Sequence, residues 1–280
     1  TEFLEKLIED TRGHPEWGFD MWRLSAVTWG HFMLGGVTVL QGSLSDALQL
    51  LDRAVELARQ HGDTESEGWA QLWMVDLALL AGDPDRAMGP AQRGLEIAEK
   101  MGSIYSRAIA YLRLGAAHLL NERWKPAVES LEQSLDIMRG NRTALELEAR
   151  ALAWLGEAAL GTGDLTRAHD LAQEAATLWR ERGAQQDGAF AQLSLARVLL
   201  SQQGADAAET IRTALDAGDE VTGKDGVCNL RPLLLVERAK LAGLEGDADA
   251  SDRYLRAALP LFEAMGAPLR VRQVEALLAG

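Results

Sequence analysis

The residue types that most often carry chemistry are few in this chain and poorly spaced for it. His14, His31, His61, His118 and His169 include no pair at the helical interval of a H-E-x-x-H zinc site, where two imidazoles leave one helix face a turn apart to share a cation. Cys228 is the single cysteine. Alone it builds neither a thiolate metal cage nor a disulfide within the chain, so a reducing, cytoplasmic setting is expected. The run Gly223-Lys224-Asp225-Gly226 lacks the spacing and the Ser/Thr of a phosphate-binding P-loop. Asp83-Pro84-Asp85 and Asp247-Ala248-Asp249 look like the start of calcium loops but have neither the glycine nor the terminal glutamate, and read as helix caps. These patterns predict no catalytic centre, no metal and no cofactor: the chain binds something rather than transforming it. An enzyme is the remote alternative and needs a pocket joining His31, Asp76 and Arg150.

Charge narrows the partners. The 28 basic and 42 acidic residues give a formal net charge of −14, spread over both halves, and no Lys/Arg stripe is present to neutralise phosphates, so direct nucleic-acid binding is not expected. A 47% hydrophobic fraction beside 25% charged residues argues for a folded chain. The most apolar stretch, Gly30 to Leu40, is too short for a membrane span and contains His31. The opening TEFLEKLIED has no initiator Met and no cleavage signal and reads as a helix in progress, which predicts a piece of a longer protein.

The elements that must position any binding residues come from a repeat. Small residues Ala47, Ala87, Ala127, Ala168, Ala207 and Ser251 recur at spacings of 40, 40, 41, 39 and 44. After each anchor, small or apolar residues return at offsets +4, +7, +8 and +10, as in Leu51, Ala54, Val55 and Leu57, which places them on one helical face. Gly82-Asp83-Pro84 stops one helix and caps and starts the next, and Gly163-Asp164, Gly246-Asp247 and Gly42-Ser43 repeat that punctuation. Gly62, Gly102, Gly140, Gly183, Gly218 and Gly266 mark the opposite ends, so each unit contains two helices. The first helices are predicted over Met21 to Gln41, Thr64 to Ala81, Ile104 to Leu120, Arg142 to Leu160, Gln185 to Ser201 and Arg231 to Glu245. No segment alternates with the period of a strand, and the expected fold is all-α. Residues 1–12 form the second helix of a preceding repeat, 16–266 six hairpins, and 267–280 a capping helix.

The Gly-Asp-x-x-x-Ala turn, the small and apolar pattern after it, and the pairs Leu34-Gly35, Leu114-Gly115 and Leu155-Gly156 before the anchors resemble the tetratricopeptide repeat. The resemblance covers nearly the whole chain and implies a right-handed α-α superhelix. The period near 40 exceeds the usual length of about 34, roughly one extra turn per helix. Such long repeats look like those in the C-terminal regions of bacterial STAND/AAA-type signalling ATPases, including LuxR-type regulators like the maltose transcription activator and adenylyl cyclases fused to an ATPase. The ending LFEAMGAPLRVRQVEALLAG is similar to their last repeat and cap. The resemblance implies a regulatory module that senses a partner.

In a solenoid of this kind the first helices line the concave face, and positions 18, 15, 11 and 8 before each anchor are mapped there by analogy. The binding candidates are Trp29, Phe32, Trp69, Leu72, Asp76, Leu112, Arg150, Glu157 and Gln192. An apolar concavity with a few polar groups suits a peptide, a partner domain or a small effector. The competing reading packs these positions between helices as core, and it applies still more to Trp73, Trp154 and Trp179. Trp17 and Trp22 cover the N-terminal end, where Phe3, Leu4, Leu7 and Ile8 offer a stacking face that would promote dimers. The Lys and Asn of a chaperone-tail carboxylate clamp are missing from the mapped columns. The expected function is therefore a non-catalytic regulatory module holding a peptide or partner domain, with a small-molecule sensor built on Trp29, Phe32 and Trp69 as the alternative. Gly218 follows Ala207 by only 11 residues, which predicts a helix one turn short and a loop over Asp219 to Asn229, DEVTGKDGVCN.

Overall fold

Glycines in the left-handed conformation end helix after helix, as at Gly82 (φ 69°) and Gly163 (φ 85°), where a side chain would clash with the following carbonyl. Polar caps start the next: Asp63 accepts from the Ser66 amide, Ser103 from the Ser106 amide and Asp247 from the Ala250 amide. In this computed structural model residues 1–14, 16–18, 24–182, 185–222 and 230–279 are described, with only the backbone of 185 and 186. The helices are α1 (Glu2–Thr11), α2 (Ala26–Gln41), α3 (Leu44–His61), α4 (Thr64–Ala81), α5 (Met88–Met101), α6 (Ile104–Leu120), α7 (Trp124–Asn141), α8 (Glu148–Thr162), α9 (Leu165–Arg182), α10 (Gln185–Gln203), α11 (Ala208–Thr222), α12 (Arg231–Leu244), α13 (Ala248–Met265) and α14 (Pro268–Ala279). No strand occurs among the described residues.

From α2 to α13 the helices pair as hairpins, and α2, α4, α6, α8, α10 and α12 also pack on one another in sequence, forming the inner layer of a superhelix. Their composition explains the placement. In α4, Ala70, Leu72, Val75, Leu77, Ala78 and Leu80 are all buried, so apolar surface faces several directions; in α3 the buried set, Leu44, Ala47, Leu51, Ala54, Val55, Leu57 and Ala58, keeps to one side of the helix. A helix apolar on most sides needs neighbours on most sides. Ala47, Ala87, Ala127 and Ala168 are fully buried, as the repeat register predicts, while Ala207 is 7% exposed and Ser251 half-buried. Leu112, Leu131 and Leu152 have no exposed surface, and each such side chain contributes about 1.5–3 kcal/mol of burial.

The superhelix turns tightly enough for its last helix to reach the second hairpin. The Arg270 guanidinium in α14 donates to the carbonyls of Leu79 (2.8 Å) and Leu80 (3.3 Å) at the end of α4. Those carbonyls belong to the last turn of a helix, where no amide of the same helix is left to bond them all and a cation suits the helix dipole. Gly266 lies against Ser45 of α3, so the seam runs from the start of α3 to the end of α4.

The first inner helix starts at Ala26, after the Ser25 cap, where Met21 was expected, and three further boundaries differ from the sequence expectation. Gly218 does not stop its helix: α11 continues to Thr222, and the hairpin is not a turn short. The glycine is there for approach, since a Cβ on it would lie 3.0 Å from Leu234 Cδ2. Asp219 to Thr222 are therefore helical rather than loop; the remainder of that predicted loop, with Cys228 and Gly223 to Gly226, lies outside the described residues, as do Met21, Trp22 and Gly183. Second, α8 starts at Glu148, not Arg142, because Arg142 and Ala144 both take φ of 50° and a short 3-10 turn, Leu145–Leu147, intervenes. Third, Gly140 sits inside α7 and the left-handed cap falls on Arg142.

Candidate functional site

Inside the superhelix is a cavity of about 310 Å³. Leu79, Leu119, Trp154, Phe190, Leu193 and Leu233 make its apolar wall, and Glu157, Arg197, Arg270 and Gln273 bring polar atoms to it. A second chamber of about 150 Å³ shares Arg197, Leu233, Arg270 and Gln273 and adds Glu237 and Lys240. Three inner helices, α8, α10 and α12, and the closing helix α14 therefore supply the polar set.

Of the nine candidates from the sequence, only Glu157 lines this channel. Phe32, Leu72, Asp76, Leu112, Arg150 and Gln192 are buried between helices. Trp29 is half-buried edge-on to Phe32, and Trp69 packs against Tyr105 with ring centroids 6.0 Å apart. Trp69 and Leu72 instead border a narrow groove floored by Gly68, Gly94 and Ile97. Leu79 and Leu119, 8 residues before an anchor, and Leu233, 18 before one, do line the channel from the mapped columns; in the fourth and fifth hairpins, however, Trp154 and Leu193, both 14 residues before an anchor, face it where position 15 was expected, and one residue along a helix turns a side chain by about 100°. Arg270 and Gln273 carried no repeat signal, because α14 lies outside the repeat.

Asp76 and Arg150 are joined in another way. Arg113 donates to Asp76 Oδ2 from Nε (2.9 Å), with its Nη2 at 2.7 Å, and Arg150 donates from Nε to Asp187 Oδ1 (2.6 Å), while Arg150 Nη1 stands 4.0 Å from Asp76 Oδ1. One residue each from α4, α6, α8 and α10 thus forms a buried, charge-balanced ladder through the inner layer. Both guanidinium groups lie near the Trp154 ring, Arg113 at 5.9 Å and Arg150 at 5.7 Å from its centroid, with Arg150 also 4.4 Å from the Phe190 ring. Burial pushes the Asp187 carboxyl above its ordinary range and Arg150 pulls it only partly back.

In the channel itself Arg197 is held by two carboxylates: Nε donates to Glu237 Oε1 (2.9 Å) and Nη1 to Glu157 Oε2 (3.2 Å). Ser194 Oγ lies 2.7 Å from Glu157 Oε1, and Lys240 Nζ 2.9 Å from Glu237 Oε2. His31 and His118 are partly buried within helices α2 and α6, which lowers the pKa of each; among the described residues no three His, Cys, Asp or Glu side chains gather as a metal-ligand set. No helix of the described residues is long and apolar enough to cross a membrane.

On the far side of the inner helices, a glutamate near the start of a hairpin bonds arginines from two outer helices. Glu67 accepts from Arg59 (3.0 Å) and Arg93 (3.1 Å), and Glu148 from Arg139 (2.6 Å) and Arg182 (2.6 Å). Burial opposes ionisation at both, but the paired arginines outweigh it and hold each carboxyl below 4.5. A carboxyl with a depressed folded pKa binds fewer protons than in the unfolded chain, so its stabilisation is complete above 4.5 and fades as pH falls through the folded value. The double variant Glu67→Gln/Glu148→Gln should be less stable than the parent at neutral pH, with the gap narrowing in acid. Equal gaps in urea midpoint at about pH 7 and about pH 3 would remove the clamps from the account of acid stability.

The fold and channel together define a class: the chain is a tetratricopeptide-like helical-repeat solenoid. No family model and no curated protein matches the sequence. Among solved structures it is similar to the apo form of RapI, at 12% identity and TM-score 0.68 over 92% of this chain and 89% of that one. It is also similar to a Rap protein complexed with competence and sporulation factor, at 16% identity and TM-score 0.64 over 98% of this chain and 80% of that one. A third likeness is a STAND protein with a tetratricopeptide repeat sensor from Pyrococcus horikoshii, at 15% identity and TM-score 0.56, over 99% of this chain but 41% of that one.

Proposed function

We propose that this chain is a non-catalytic regulatory module that holds a short peptide in the channel enclosed by its inner helices and α14. The observation that carries this is the convergence, in one cavity of about 310 Å³, of an apolar wall with Glu157, Arg197, Arg270 and Gln273. Apolar surface supplies the affinity for such a ligand, and a few fixed polar groups set its direction and register. The Rap protein of similar fold was solved with competence and sporulation factor, which favours a ligand-holding role for a solenoid of this shape. The STAND protein of similar fold supports placing the module within a larger cytoplasmic signalling protein, where ligand binding changes how a neighbouring domain is held. The cavity volume equally suits a small effector, which keeps a sensor of small molecules as the second reading.

Hydrogen–deuterium exchange with a mixed hexapeptide pool tests the proposal. Protection is expected at Leu79 to Leu80, Leu119 to Trp124, Phe190 to Arg197 and Arg270 to Gln273. It should be lost in Leu119→Glu, whose half-exposed side chain lines the channel, while the far-ultraviolet circular dichroism stays helical. Protection confined to the outer helices would discard the channel, and protection by a metabolite pool but no peptide would favour the second reading.

A further inference from the structure

Arg270 differs from the other basic groups in the channel. Arg197 has Glu157 and Glu237, and Lys240 has Glu237, whereas among the described residues no carboxylate comes within ion-pair distance of Arg270. Its bonds go to neutral oxygens: Leu80 O from Nε, Leu79 O from Nη2, and Gln273 Oε1 (3.1 Å) from Nη1. A guanidinium has five N–H groups in a fixed fork, so one on each terminal nitrogen is unspent. Among the described residues the Nη2 of Arg197 and the amide nitrogen of Gln273 also find no hydrogen-bond partner, and both residues line the two chambers that Arg270 lines. Glu122 reaches the same cavity but is exposed and, among the described residues, paired with no arginine. Burial first, and then the neighbouring Arg197, pull the Arg270 guanidinium down to about 10, and the more distant carboxylates of Glu237 and Glu157 offset this only in part.

We infer that the channel ligand carries a carboxylate, and that Arg270 and Gln273 of the closing helix, with Nη2 of Arg197, receive it. This rests on the channel being the ligand site. A carboxylate there accepts the unspent donors as charge-assisted bonds, which are shorter and stronger than neutral ones. Because Arg270 already ties α14 to the end of α4, the same ligand also fastens the seam at which the superhelix closes. The carboxylate is either a peptide C-terminus or a free small acid, and the test separates the two.

Three probes are compared on the intact chain by thermal midpoint and titration: a pool of hexapeptides without acidic residues and with a free C-terminus, the same pool C-amidated, and succinate. The free-acid pool is expected to bind about tenfold or more tighter than the amidated pool. Arg270→Gln should abolish that difference, and Gln273→Glu, which offers Arg270 a carboxylate of the chain's own, should shrink it while keeping the seam closed. Equal binding of both pools, unchanged in either variant, overturns the carboxylate site and leaves a peptide channel standing. Binding of succinate alone, lost in Arg270→Gln, supports the site with a free acid as its source and removes the peptide. Binding of none of the three overturns both.

Discussion

Arg150→Met is expected to destabilise the fold by about 3–5 kcal/mol, a fall in thermal midpoint on the order of 10 °C. The substitution keeps most of the apolar stem but removes the cation from beside Asp187, whose carboxylate is 6% exposed and has no other ion pair among the described residues. Asp76 retains Arg113, so the damage falls on α8 and α10. Adding Asp187→Asn should recover most of the loss, because the cost is that of a stranded buried charge rather than of a missing attraction. Replacing a whole buried ion network by apolar residues is often close to neutral; the ladder's contribution is therefore alignment, fixing four inner helices in one register. Urea denaturation of the single and double variants is the measurement. A single variant within about 1 kcal/mol of the parent would mean that Asp187 finds water or another partner and that the ladder does not hold the layer.

The second large effect concerns close approach. Gly35, Gly115 and Gly156 each precede their anchor by twelve residues, and two of them sit beneath a leucine four residues after the anchor: a Cβ on Gly35 would lie 2.8 Å from Leu51 Cδ2, and one on Gly115 2.5 Å from Leu131 Cγ. At Gly156 the obstacle is backbone, with Ala168 O at 3.2 Å and Ala172 N at 3.3 Å. A side chain at Gly115 pushes aside another side chain; one at Gly156 presses on helix backbone, which gives less readily. Gly156→Leu is accordingly expected to cost about 3 kcal/mol, the upper part of the range for overpacking, and no truncation in α9 should rescue it. Gly115→Ala should cost less and be partly rescued by Leu131→Ala. Equal costs at the two positions, read from denaturation midpoints, would contradict the distinction between backbone and side-chain obstacles.

The same physics separates what could be read in advance from what could not. Helix ends are local events, fixed by a left-handed glycine and a capping side chain a few residues apart, and α4 and α6 begin and end where the residues alone place them. The anchors are legible too, because a position that must be small in each hairpin repeats. Gly218 misled because a glycine stops a helix in one context and admits a neighbouring side chain in another; only the position of Leu234, contributed by α12, tells them apart.

The sequence by itself determined an all-helical repeat, since periodicity, small-residue spacing and punctuation all act within one hairpin. Tertiary structure decided which side chains face the channel. That depends on the angle at which long helices stack, so it moved Asp76 and Arg150 into a buried ladder, left Glu157 on the surface of the cavity, and brought in Trp154 and Arg197. It also decided that the channel closes. Arg270 meets Leu79 across 191 residues of chain, and such a contact comes from the accumulated turn of the whole superhelix rather than from any motif near either residue.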